Sequence, residues 1–289
     1  MEHAKKKFSI YNQNVVGYVF IMPWLVGFLC FTLVPFLMSF VLSFTNFNIL
    51  SPDTKFIGLD NYVKLFTQDK LFIKSLKVTF KFAFISVPLR LIFALFVAMI
   101  LNRKSRAVPV YRVVYYLPSI IGGSVAVSVM WRNLFTKAGV INSLLQAVGI
   151  DCRLNWLSNT KTALFTLILL YVWQFGSSML IFLSGLKQIP VSYYEAAEVD
   201  GAGKVRQFFS ITLPLLSPII LFNLVMQIIN GFMVFTQAQI ITDGGPVNET
   251  LVYILYLYQN SFKYYEMGYG SAMAWILLVI VGFFTALVF

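Results

Sequence analysis

The chain has 289 residues, 59% of them hydrophobic and only 11% charged, with a mean hydropathy of +0.79. That excludes an ordinary soluble domain, and several runs reach the roughly 20 apolar residues that span a bilayer, so one polytopic membrane domain is expected. The net charge of +11 is spread along tails and loops, which suits membrane-surface lipids and argues against nucleic acid as a partner.

Taken in chain order, residues 1–14 form a polar tail with Lys5, Lys6 and Lys7. His3, the only histidine, lies there too, which excludes a histidine-based metal site or catalytic triad. The first apolar run, Val15–Phe44, exceeds the ~7–15 residues of a signal-peptide core and has no small-residue cleavage site. It reads as a retained helix bent at Pro23 or Pro35. Cys30 within it and Cys152 in a later loop cannot make a disulfide framework.

The second run is Ser75–Leu101, and the third is Tyr111–Phe135 with Pro118 and Gly122-Gly123 inside it. The fourth is Thr162–Leu186, the fifth Phe209–Thr236 and the sixth Met267–Phe289. The expected fold is therefore all-α, with six helices in a membrane domain covering 15–289. The short link Asn102–Pro109 carries Arg103, Lys104 and Arg106 and no acid. Together with the basic tail it should face the cytoplasm, and an even helix count then places both termini inside. The intervening segments 45–74 and 132–161 also hold basic residues, but long loops weigh less in this rule. The chain stops in an apolar run without a basic flank, so a further cytoplasmic tail is expected beyond Phe289.

A polar segment, 192–214, interrupts this pattern. Ile189-Pro190 ends the fourth helix. Ser192, with Glu195 three residues on, fits a capping box. A short helix through Tyr193, Ala196, Ala197 and Asp200 should stop at Gly201 or Gly203. The small alanines permit close approach of a partner surface, and Glu195, Glu198 and Asp200 offer charges. GAGKV at Gly201–Val205 is only superficially a phosphate loop, because it lacks the upstream glycine and has Val205 where Ser or Thr is needed.

The spacing Glu195-Ala196-Ala197, Gly201, Ile211 and Leu213-Pro214 resembles the EAA loop of ABC importer permeases. Arg112–Trp131, Ile241–Thr250 and Pro88–Arg106 are similar to the third-helix region, the last outer loop and the second-helix end of sugar permeases. The likeness covers nearly the whole chain and is nearest to the branch for complex and acidic oligosaccharides. It implies the six-helix permease fold of a type I ABC importer in the bacterial cytoplasmic membrane. It implies a coupling helix in which Glu195, Ala196, Ala197, Asp200 and Gly201 meet an ATPase. The implied partners are two ATPase subunits that bind the ATP and magnesium, a second and different permease chain, an external solute-binding protein and an oligosaccharide. No catalytic residue, cofactor or metal is implied for this chain.

Pathway candidates come from polar residues at membrane depth. Asn223, Gln227, Asn230 and Gln237 fall within about 80° of one another on an ideal helix, a stripe that suits sugar hydroxyls or interhelical hydrogen bonds. Trp173 is either a stacking platform for a sugar ring or a packing residue, and Gln174, Ser177 and Ser178 follow it. Arg90 is the most unusual residue, being a cation in a span without an acid. It either pairs with a backbone carbonyl or lipid phosphate, or balances a carboxylate on an acidic substrate such as a pectin- or alginate-like, uronate-containing oligosaccharide. A neutral sugar or sugar phosphate is the alternative substrate. A membrane enzyme, ion channel or proton-coupled carrier would need clustered acids, histidines or a filter motif, and the apolar runs hold none.

Overall fold

The computed structural model describes residues 13–51, 53–103, 106–151 and 154–288. The basic tail with His3 and Lys5–Lys7, and also Lys104, Cys152, Arg153 and Phe289, lie outside them. Helix α1 (Gln13–Phe28) runs through a π turn at Leu29–Leu33 into α2 (Val34–Leu42). Then follow α3 (Asp60–Thr67), α4 (Lys70–Leu101), α5 (Val108–Ile121), α6 (Val125–Leu134) and α7 (Val140–Ala147). Next come α8 (Ala163–Trp173), α9 (Gly176–Leu186), α10 (Val191–Val199), α11 (Lys204–Gln207) and α12 (Leu213–Leu215). The remainder is α13 (Ser217–Phe232), α14 (Thr236–Ile241), α15 (Tyr253–Tyr258) and α16 (Met267–Val288). Among the described residues there is no strand, only an isolated bridge between Thr45 and Phe56.

Four stretches are long and apolar enough to cross a membrane: Val16–Leu42, Lys70–Leu101, Ser217–Ile241 and Met267–Val288. The other two predicted spans are broken. The third turns by 98° between α5 and α6, and the fourth bends by 41° between α8 and α9. At the first break Gly122-Gly123 give the helix little support, and Ser124 restarts it by accepting the amide of Val127 at 3.3 Å. α5 alone, at 14 residues, rises about 21 Å, short of the ~30 Å hydrocarbon core.

Proline accounts for two further irregularities. The first span is loosened at Leu29–Leu33, so Pro35 and not Pro23 marks the spot. The fifth run starts with a π turn, Phe208–Thr212, ahead of Pro214, so its regular helix begins only at Ser217. In both places the carbonyl four residues before the proline, at Phe31 and Ser210, falls in the π turn. Widening the turn there relieves the clash with the proline ring and accommodates its missing N–H. α4, by contrast, is anchored at its start by Asp69, whose Oδ1 accepts the amides of Leu71 and Phe72 at 2.9 Å.

Two compact units result. The smaller holds the described residues up to Val63 together with Asn260–Trp275. There Phe36 and Phe40 pack on Trp275 with ring centroids 4.6 Å apart, and the Trp275 Nε1–H donates to Ser39 Oγ at 3.2 Å. Most of the first span is exposed apolar surface, as at Phe20 and Phe31, which suits hydrocarbon or a partner helix. The larger unit, Lys64–Gln259 with Ile276 onward, packs α4 against α8, α9 and α13. Phe82, Phe182, Met179 and Leu170 are buried in its core.

Candidate functional site

Within the larger unit the break between α8 and α9 creates a polar centre. Ending α8 at Trp173 frees the Gln174 carbonyl from helical duty, and a buried free carbonyl needs a donor. It receives two: the Nη2 of buried Arg90 from α4, and the hydroxyl of Ser119 from α5 at 2.9 Å. Ser119 Oγ in turn accepts the amide of Ser177 at 2.9 Å, and Ser177 Oγ lies 3.4 Å from Arg90 Nη2. The Gln174 side chain donates to the carbonyls of Gly122 and Leu170, each at 3.2 Å, so one residue ties both broken spans together. Gly176 permits this closeness, because a Cβ there would sit 2.2 Å from the Tyr115 carbonyl oxygen.

The guanidinium of Arg90 also lies over the Tyr171 ring, 4.5 Å from its centroid. The Tyr171 hydroxyl donates to Gln227, whose main-chain and side-chain oxygens are both 3.1 Å away. Arg90 is thus held directly by Tyr171, Gln174 and Ser177 around the α8–α9 break, with Ser119 of α5 and Gln227 of α13 bonded to those partners, and its buried Nε finds no hydrogen-bond partner among the described residues.

Beside this centre opens a cavity of about 380 Å³, within the range of small-molecule sites. Arg90, Gln174, Asn230 and Gln237 all line it, joined by Ser119, Tyr171, Ser177 and Thr236. Among the described residues no acidic side chain lines it. The amide stripe is divided, because α13 ends at Phe232 and residues 233–235 leave the helix before α14. Gln237 therefore belongs to a separate helix from Asn223, Gln227 and Asn230. Gln227 is buried against Tyr171. Asn223 is fully buried, and neither atom of its amide has a partner among the described residues. Trp173 does not line the cavity, and its ring packs on Trp131 with centroids 5.8 Å apart. Ser178 is buried, also outside the lining. Ser119, Tyr171 and Thr236 were missed in the sequence, although the rule that singled out Arg90, polar groups in an apolar run, applies to Ser119 and Tyr171 too.

The polar segment forms α10, without the expected capping box. The helix starts at Val191 behind Pro190, so Ser192 lies inside it and makes no cap. Proline, with its preset φ and no N–H to satisfy, begins the turn instead. The C-terminal end follows expectation. Gly201 takes φ +75°, its amide bonds the Glu198 carbonyl at 3.0 Å, and the Ala202 amide bonds the Ala197 carbonyl at 2.8 Å. This double closure with a left-handed glycine is the Schellman arrangement. Glu195, Ala196, Asp200 and Gly201 lie on this short exposed element, with Ala197 half-buried. Lys204 pairs with Glu198 and holds its carboxyl below the usual range, through a hydrogen bond and its charge. At the other end, the Tyr194 hydroxyl is hydrogen-bonded to Thr212 Oγ1 at 2.9 Å, tying α10 to the π turn before Pro214.

The loop Ile241–Thr250 is also firmly held. Lys74 donates to the Val247 carbonyl at 2.6 Å and pairs with Glu249 at 3.0 Å, and Thr250 donates to the Gly245 carbonyl at 2.6 Å. The Tyr253 amide donates to Thr79 of α4 at 2.7 Å.

Residues 79–289 match the family of binding-protein-dependent transport system inner membrane components, and the chain belongs to that family. It is 58% identical over 287 residues to "Probable ABC transporter permease protein YesP" of Bacillus subtilis (strain 168), covering 99% of this chain and 93% of that one. It is 32% identical to the "Arabinooligosaccharides transport system permease protein AraP" of the same organism, covering 94% and 86%. In fold it is similar to a chain of the bacterial alginate ABC transporter crystallised with an alginate pentasaccharide-bound periplasmic protein. That match has a TM-score of 0.78 at 23% identity and covers 94% of this chain and 92% of that one. The chain is an ABC transporter permease subunit of the sugar-transport type, a component that moves solute and not an enzyme.

Proposed function

We propose that this chain forms half of the membrane pathway of an ATP-driven importer for an oligosaccharide that carries carboxylate groups. The carrying observation is Arg90 at the wall of a cavity whose other polar members are amides and hydroxyls, with no acid among the described lining residues to neutralise it. Amides and hydroxyls match sugar hydroxyls, which both donate and accept, and a guanidinium fork matches a uronate carboxylate. The related solved structures include an importer of "the acidic polysaccharide alginate", which is consistent with this reading.

The rest of the cycle follows from the same reading. An external binding protein delivers the saccharide to the rigid loop around Ile241–Thr250. Partner ATPases, which bind the ATP and magnesium, engage α10 through Glu195, Ala196, Ala197, Asp200 and Gly201. A second, different permease chain completes the pathway. Both termini and α10 lie in the cytoplasm of a bacterium, as the basic tail and the link around Arg103 and Arg106 suggest. The helix breaks at 122–124, 174–175 and 233–235 bound the cavity and supply the points about which the bundle reorients.

A second reading, a neutral substrate, is favoured by the bond from Arg90 to the Gln174 carbonyl. Arg90 is then a strut across the helix break. Uptake of neutral and acidic oligosaccharides of equal length, compared between wild type and Arg90→Gln in the assembled importer, separates the two. Selective loss of the acidic substrate supports the carboxylate reading, and equal loss of both sinks it.

A further inference from the structure

A second cavity of the larger unit lies at the foot of α10, away from the polar centre. It measures about 440 Å³ and is formed where α4 and α9 end and α5 and α10 begin. Arg103, Arg112 and Lys187 line it with Asn102, and among the described residues no acid does. Its remaining wall is largely apolar, with Val191 and Tyr194 contributed by α10.

Helix ends alone do not account for these cations. Arg103 and Lys187 follow the C-termini of α4 and α9, where a positive charge complements the helix dipole. Arg112 stands instead near the start of α5, where the dipole disfavours a cation. Its Nε is buried without a hydrogen-bond partner among the described residues. Three mutually repelling cations converge on one hollow, which calls for an anion. The cations stand at the ends of apolar spans, at the depth of lipid headgroups, and the apolar wall suits glycerol and upper acyl carbons.

We propose that this pocket binds a phosphate group, supplied in the membrane by the headgroup of an anionic phospholipid. The occupant touches Val191 and Tyr194, so it also sets the position of α10. That consequence for ATPase coupling rests on the function proposed above, whereas the binding itself does not.

The test is native mass spectrometry of the full-length chain in detergent, titrated with phosphatidylglycerol or phosphatidylcholine, with and without excess glycerol phosphate. Wild type should retain phosphatidylglycerol in preference to phosphatidylcholine. Arg112→Gln combined with Lys187→Gln should bind it about tenfold more weakly, the scale of losing charged hydrogen bonds. Lys161→Gln, an exposed lysine on another loop, should match wild type, and Arg112→Lys should retain most of the binding. Displacement by glycerol phosphate would assign the site to a soluble phosphate; resistance to it would assign the lipid. Size-exclusion profiles establish that each variant is folded, and Lys187→Gln alone serves if the double variant is not. Equal retention of the two lipids, or undiminished binding by the folded charge-removal variant, overturns the proposal.

Discussion

The polar centre around Arg90 and the exposed helix α10 solve the same problem, unpaired helix ends, in opposite ways. At α10 the chain pairs its own carbonyls within six residues, through Gly201 and Ala202, so the element needs no other helix. At the α8–α9 break the Gln174 carbonyl is paired by residues 55 and 84 positions away, Ser119 and Arg90, and only the packed bundle brings them there. The first arrangement can move as a body and keep its bonds, which suits a part that transmits force. The second loses its bonds if the helices shift, which suits a centre that rearranges as the pathway opens.

The contrast can be broken most severely at Gly176. Gly176→Val places a side chain against the Tyr115 carbonyl, and overpacking at backbone contact costs about 1–3 kcal/mol or more. Purified variant should lose its monodisperse size-exclusion peak. A normal peak would mean that the α5–α9 contact is not tight.

Gly201→Asp should do the reverse. Open space surrounds that position, so the cost is the left-handed conformation alone, about 1–2 kcal/mol. The chain should still purify as a folded species while co-purification with the ATPase proposed as its partner is lost. Retained ATPase would remove α10 as the coupling element.

Arg90→Gln comes next, with uptake of acidic oligosaccharide falling about tenfold relative to neutral, the scale of one charged hydrogen bond. Smaller still is Ser192→Ala. A true cap would cost about 1 kcal/mol, but Ser192 makes no capping bond, so thermal unfolding should match wild type. A clear drop in Tm would restore the capping box.

A small effect also belongs to Glu198. Lys204 lowers its carboxyl from the ordinary value of 4.5. The pair's contribution is therefore present above pH 4.5 and lost as pH falls through the lower folded value. Because the pair is exposed, salt should erase it. Glu198→Gln should differ from wild type only slightly, at neutral pH and low salt. A difference that persists in acid or high salt would point to another role.

What was legible in the chain follows the range of each interaction. Apolar runs are local, and they marked six membrane segments; the close of α10 at Gly201 is local too, since only glycine accepts its φ without strain. The breaks were partly legible. Pro35 and Pro214 act on a carbonyl four residues back, and Gly122-Gly123 weaken a helix on their own account. The 98° turn there also needs α9 against α5, and the interruption at 233–235 carries no proline or glycine of its own.

The cavity lay furthest from view. Periodicity put Gln237 on one face with Asn223 and Gln227, but that geometry assumes an unbroken helix. Trp173 looked like a sugar platform because its ring chemistry allows it, and its packing on Trp131 depends on where α6 turns.

By itself, then, the sequence determined the class of protein, the number of membrane segments and the place and ending of α10. Composition, period and capping act within a few residues, and those the chain carries directly. Only the tertiary structure decided which polar residues share a cavity, what holds Arg90, and that three cations meet at the foot of α10. Those depend on contacts between helices far apart in the chain, and on breaks whose angles are set by the neighbours they pack against.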